Sequence, residues 1–270
     1  MKSIIVEALK PNFETVAILR SNEKPEGAIQ PLPGKYTCIM PFFAQVAAKG
    51  KTAVFDRETY GCSGAKAGLG FGSAYGEEMG GYDTFSAFFS KGLDSAKDKE
   101  KYKEIAENTN AHLRRKLLKG ERYQTSREKA YKWMTKDLPV YNFTEKYVIL
   151  KPLKDVTADE TPHSIIFAVN PIQLTALITL AGSIREGIND TITPQGAACQ
   201  MIGAYVFHES ESSNPRAVLG MLDLAARKHV RGILPDDILT YAVPWKLFLA
   251  LEEEAKEGVF KSPIWLDLFE

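Results

Sequence analysis

The sequence predicts an α+β protein in which helices pack on a mixed sheet. Three observations carry that expectation. Short β-branched runs, at residues 147–150 and 164–169, stand beside stretches whose apolar residues recur at helical spacing. Glycine and proline punctuate most of the handovers between them. With 270 residues, 44% hydrophobic and 25% charged, the chain has ordinary globular composition and can bury a substantial core.

The elements follow in order. Residues 13–19 read as a strand through Val16, Ala17, Ile18 and Leu19, and the Pro- and Gly-rich residues 23–34 read as loop. A helix is expected over 40–48: Pro41 suits its first turn, Phe43, Val46 and Ala47 share a face, and Gly50 closes it. Residues 52–55 form a short β run, and a glycine-rich turn then leads into a small-residue helix beginning near Ser63. Residues 73–82 read as loop and 85–92 as helix.

The stretch 91–137 carries 14 Lys/Arg against 8 Asp/Glu, a net of +6, and reads as an excursion of one or two exposed helices broken near Gly120. Arg114-Arg115-Lys116 fits either a solvated helix face or an anionic partner. Beyond it come the two β runs, a helix over 172–181 and a turn at 193–196. A helix over 197–205 carries Cys199, and strand-like runs follow at 216–222 and 239–243. A last helix is expected to open at Pro244 and reach Glu254. A single compact domain is expected over 1–270. Its candidate halves, 1–138 and 139–270, each offer strands followed by a helix with a cysteine near its start.

The 34 Lys/Arg balance the 34 Asp/Glu, so no global field draws the chain to nucleic acid or to a membrane. The N-terminus lacks the apolar run of a signal peptide, and the longest apolar stretch, 165–181, is interrupted by Asn170, Pro171 and Gln173. A cytoplasmic location is expected. Three widely spaced cysteines, Cys38, Cys62 and Cys199, fit a reducing compartment and no disulfide framework. Oligomeric state is left open.

Cys62 carries the strongest chemical signal. It sits in Gly61-Cys62-Ser63-Gly64, where a strand hands over to a helix and free amides favour a thiolate. Three thiolates can hold a soft metal ion or an iron–sulfur cluster and leave one position for a small molecule or for His208. Equally, cysteines fill buried helix–sheet contacts without chemistry. Two further readings stay open. Cys62 alone could act as a nucleophile in a thiol-dependent enzyme. Alternatively, the amides of Gly61, Ser63 and Gly64 could bind a small anion or small-molecule ligand without metal. The turn lacks GxGxxG, Gly50-Lys51-Thr52 lacks the rest of a P-loop, and Ser63 lacks a GxSxG elbow.

Four pieces, taken in order, resemble one family. They are Lys35-Tyr36-Thr37-Cys38-Ile39-Met40, Gly61-Cys62-Ser63-Gly64-Ala65 with Leu69-Gly70, Asn170-Pro171-Ile172-Gln173, and Gly196-Ala197-Ala198-Cys199. Together with Leu239-Thr240-Tyr241-Ala242-Val243-Pro244 they are similar to the uncharacterised family catalogued as domain of unknown function 169 (ArCR), over about residues 14–260. The resemblance implies cysteines at Cys38, Cys62 and Cys199, hence a shared iron–sulfur or other metal site, and an insertion over 94–119. It implies no activity. Where members carry a second cysteine beside the third, this chain has Ala198, so three thiolates are the most it can supply.

Overall fold

A computed structural model of the chain describes residues 1–33, 37–58, 61–184 and 187–268. Gly34, Lys35 and Tyr36 of the expected loop and first motif, and Thr59 and Tyr60 ahead of the glycine turn, lie outside the described residues. In chain order the helices are α1 (Ile4–Leu9), α2 (Met40–Lys49), α3 (Ser63–Leu69), α4 (Ala74–Glu77), α5 (Gly81–Phe89), α6 (Lys99–Glu107) and α7 (Ala111–Lys119). They continue with α8 (Arg127–Lys132), α9 (Pro171–Ser183), α10 (Ala198–Ile202), α11 (Ala204–Ser210), α12 (Leu224–Val230), α13 (Trp245–Glu254) and α14 (Pro263–Asp267). The strands are β1 (Val16–Ser21), β2 (Ala53–Asp56), β3 (Tyr147–Pro152), β4 (Ser164–Val169), β5 (Thr191–Ile192), β6 (Ala217–Gly220) and β7 (Leu239–Pro244).

Two compact units emerge: residues 1–70 with 143–270, and residues 71–142. The first holds one mixed sheet in the order β2-β3-β1-β4-β7-β6-β5. Only β5 and β6 pair in parallel, with Thr191 opposite Ala217. Strand β1 lies between β3 and β4, so the two candidate halves share this sheet. The fold is α+β, as the alternation of short β runs and helical stretches indicated.

Alternation along the strands assigns each helix to a face. Ala17, Leu19, Ile165, Phe167, Tyr241 and Val243 point to one side and pack with α1, α9, α13 and α14 through Ile5, Leu9, Leu174, Leu177, Phe248 and Trp265. The other side is covered by α2, α10 and α11, against which α3 and α12 pack. The two cysteine-bearing helix starts, at α3 and α10, and the Cys38 approach to α2 therefore share one layer. Among the described residues no helix is long and apolar enough to cross a membrane.

On that cysteine-bearing side, the imidazole of His163 packs 4.7 Å from the Phe207 ring, which also meets the Arg20 guanidinium at 4.6 Å and the Phe143 ring at 5.3 Å. Burial, helped by the Arg20 charge, lowers the His163 pKa to about 4. The unfolded chain takes up this proton near pH 6.5, whereas the folded one resists until about pH 4. Stability is therefore lost as pH falls through that window. Urea titrations at stepped pH are expected to show a flatter acid limb in His163→Gln than in wild type.

Unit 71–142 is helical. Tyr75, Phe85, Phe89 and Trp133 form its aromatic centre, with Tyr75 and Phe89 centroids 5.4 Å apart. The expected excursion over 91–137 holds α6, α7 and α8, followed by a π-helical turn at Trp133–Asp137; Gly120 ends α7. Residues 73–82 differ from the expected loop: α4 occupies 74–77 and α5 already begins at Gly81. Met79, Gly80 and Gly81 all have positive φ, which turns the chain sharply between the two helices.

Candidate functional site

Strand β2 delivers the chain to the glycine turn, and Cys62 is the N-cap of α3, its backbone carbonyl accepting from Lys66 N at 2.9 Å. Cys62 is half-buried, Ser63 is buried, and Gly61 is exposed. The expected segment 197–205 is two helices rather than one. Gly203 (φ −122°, ψ −100°) separates α10 from α11 and redirects the chain.

Cys199 is the second residue of α10 and is buried. Its thiol donates to the Gly64 carbonyl in the first turn of α3, at 3.4 Å. Two glycines allow the two helices to come this close. A Cβ on Gly68 would stand 2.8 Å from the Cys199 carbonyl oxygen, and one on Gly203 would overlap the Gly68 carbonyl. Backbone meets backbone here, and the cysteine-bearing starts of α3 and α10 are fixed side by side.

Asp223 braces the same corner. Its Oδ2 accepts from Ala198 N at 3.2 Å and its Oδ1 from Ala225 N at 2.8 Å, so one carboxylate ties the start of α10 to the start of α12. Helix α12 packs against α2, and Cys38, half-buried, lies two residues ahead of α2. Asp223 was not singled out in the sequence, although an aspartate directly before Leu224 and Ala225 is an N-cap signal.

The Cys199 pKa reports who its neighbours are. Burial pushes it well up, and the sulfurs of Cys62 and Cys38 and then the Asp223 carboxylate push it further; the Gln200 amide opposes them weakly. Cys38 and Cys62 thus stand close enough to Cys199 to act on its charge. Among the described residues, however, no set of three His, Cys, Asp or Glu side chains has the arrangement of a metal site.

A titration consequence follows for the metal-free protein. The folded state keeps the Cys199 proton where the unfolded chain loses it, near pH 8.5, so Cys199 makes stability fall as pH rises above that value. Iodoacetamide labelling followed by peptide mapping at pH 8 is expected to modify Cys62 and Cys38 well before Cys199.

His208 lies elsewhere. It lines a cleft of about 540 Å³ with Asp190, Glu209, Glu211, Asn214 and Arg216. Within that cleft Glu209 is buried and grips Arg216 through both oxygens, at 2.7 and 3.1 Å, and accepts from Arg216 N at 2.8 Å. The charged neighbours that shift Cys199 do not include His208. Among the three residues considered for anion binding, Gly64 turns its carbonyl, not its amide, to the Cys199 thiol.

The motifs that meet in this layer also decide the family. Residues 4–254 match the family model DUF169, described as uncharacterised ArCR. The chain belongs to the DUF169 family. The matched span encloses the three cysteines of this DUF169 chain. No curated protein and no solved structure gives a significant match.

Proposed function

We propose that Cys38, Cys62 and Cys199 of this DUF169 protein form a three-thiolate site for a thiophilic metal ion or an iron–sulfur cluster, with one position open to a small-molecule ligand. The supporting observation is the contact of the α3 and α10 starts, where the Cys199 thiol donates to the Gly64 carbonyl at 3.4 Å, together with the electrostatic action of Cys62 and Cys38 on Cys199.

The donor set suits such a group. Three soft sulfur donors match thiophilic metals and iron–sulfur clusters. Left metal-free, Cys199 is electrostatically costly to ionise: burial opposes it most, and Cys62 and Cys38 oppose it further. A bound cation reverses that logic and favours deprotonated sulfur. Bound there, the group would supply Lewis acidity or electron transfer at its open position.

The rest falls to the chain. The glycine contact between α3 and α10 holds Cys62 and Cys199 in place, and Asp223 holds α10 to α12. Among the described residues no disulfide joins the three cysteines, which suits a reducing compartment, and we place the protein in the cytoplasm.

Visible absorption of protein purified without oxygen tests the proposal. Wild type is expected to show sulfur-to-metal charge-transfer bands that Cys62→Ser abolishes. If the thiophilic metal is colourless, elemental analysis is expected to show it in wild type and not in Cys62→Ser. Colourless wild type without bound metal would overturn the reading.

One observation favours a second reading. Cys62 is partly exposed at a helix start, while Cys199 is buried and protonated, so Cys62 is the better placed nucleophile of the two. In that case wild type holds no metal, and Cys62 alkylates rapidly at a pH well below that of an ordinary thiol.

A further inference from the structure

Helix α9 covers the sheet face opposite the cysteines, and its sequence, PIQLTALITLAGS, contains no charged residue. Its inner side is buried through Leu174, Leu177 and Leu180. Its outer side exposes Ile172 (50%) and Ile178 (41%). The two threonines on that outer side do not make it polar. Thr175 Oγ1 donates to Pro171 O and Thr179 Oγ1 to Thr175 O, each at 2.9 Å. Their hydroxyl protons are satisfied inside the helix, which leaves their methyl groups as outward apolar surface.

The neighbouring elements also expose apolar side chains. Helix α9 packs against α13 and against the 3-10 turn Val259–Lys261 that leads into α14. Leu249 of α13 is exposed, as are Ile264, Leu266 and Leu268 at α14, with Ile264 at 77%. Each of these six side chains offers on the order of 100 Å² of apolar area, so the layer presents roughly 600 Å². A stable interface of standard size buries about 800 Å² per partner, a little over half of it apolar. The exposed apolar area therefore meets what one side of such an interface needs, and it stands at the upper end of the largest patch, about 300–600 Å², that a typical monomer leaves in water.

We propose that this layer is a homodimer interface, with α9 packed antiparallel against α9 of a second copy. A second copy is the occupant that an uncharged surface fits best. A two-fold axis near Thr175 brings like surface to like surface, which is the isologous arrangement, and it requires no complementary charge. The chain's net charge of zero sets no long-range repulsion between copies. Small side chains at Thr175, Thr179 and Gly182 allow the two helices to approach closely, while Lys246, Glu253, Lys256 and Lys261 on the flanking elements supply a polar rim.

The interface lies on the opposite side of the sheet from the thiols, so this proposal stands independently of any metal. Sedimentation velocity on the full chain over a hundredfold concentration range tests it. Wild type is expected to sediment as a dimer of the 30.0 kDa chain, with Ile178→Glu and Ile264→Glu each shifting it to monomer at unchanged circular dichroism. Leu224→Glu, an exposed position on the cysteine-bearing side, is expected to leave the dimer intact. A wild type that remains monomeric, or a dimer that survives both substitutions on the α9 layer, would overturn the proposal.

Discussion

Gly203→Ala is expected to destabilise the folded protein by about 3 kcal/mol or more, and to do so by forcing α10 away from α3. The added methyl group would overlap the Gly68 carbonyl oxygen, and it would also stand 3.0 Å from the Cys199 carbonyl oxygen. Overpacking against side chains typically costs about 1–3 kcal/mol because neighbours can rotate aside. Here both obstacles are main-chain atoms in helices already packed on a sheet, and neither can rotate.

The denaturant midpoint should fall sharply. If the variant folds at all, Cys199 should become accessible, because the same contact that buries its thiol is the one prised open. Gly68→Ala provides a graded companion, since its Cβ would meet the Cys199 carbonyl at 2.8 Å, a lesser intrusion. A smaller loss is expected there, with the same change in thiol labelling. Wild-type stability in Gly203→Ala would mean that α3 and α10 are not in backbone contact.

Arg216→Met is expected to cost about 3 kcal/mol, the low end of what breaking a buried ion pair costs. The asymmetry of the pair decides which partner to remove. The Glu209 side chain is only 4% exposed, whereas Arg216 is 36% exposed and keeps part of its hydration. Losing the guanidinium takes both side-chain hydrogen bonds away from a largely buried carboxylate and leaves it the Arg216 main-chain N–H. Glu209→Gln is expected to cost less, and the double variant Glu209→Gln with Arg216→Met should recover part of the loss. Additive losses in that cycle, measured by urea unfolding, would contradict a coupled pair.

Much of this arrangement is legible in the sequence, and the rest has identifiable physical reasons for being hidden. Helix α9 is announced by Asn170, Pro171 and Gln173. Asn170 Oδ1 accepts from Gln173 N at 2.9 Å, and Gln173 reaches back to Asn170 N at 3.2 Å, a reciprocal cap. The handover from β2 to α3 is likewise local, and Cys62 falls at the helix start, where the glycine turn points.

Helix α1 offers one local signal, its N-cap Ser3, whose Oγ accepts from Val6 N at 3.1 Å. Its six residues are too few for periodicity to declare, and its first amides are capped from far along the chain: Glu252 accepts from Ile4 N at 2.7 Å. Pro244 closes β7 and stands just ahead of α13 rather than in its first turn, because the sheet pairing of Ser164 with Pro244 holds the chain extended one residue longer.

The candidate site divides in the same way. That Cys62 and Cys199 begin helices follows from short-range pattern. That their helices touch depends on Gly68 and Gly203, whose importance is visible only once the partner backbone is in place. Asp223 joins the corner through two amides separated by 27 residues of chain, a connection that spacing alone does not reveal. His208 illustrates the converse. Its closeness to Cys199 in sequence is undone by the turn at Gly203 and the length of α11, which carry it to the cleft with Glu209 and Arg216.

The most direct test is metal and acid-labile sulfide per chain, measured on anaerobically purified wild type and on Cys38→Ser, Cys62→Ser and Cys199→Ser. A shared thiolate centre predicts bound thiophilic metal in wild type and its loss in each of the three variants. Wild type devoid of such metal, or metal content unchanged by all three substitutions, would contradict it.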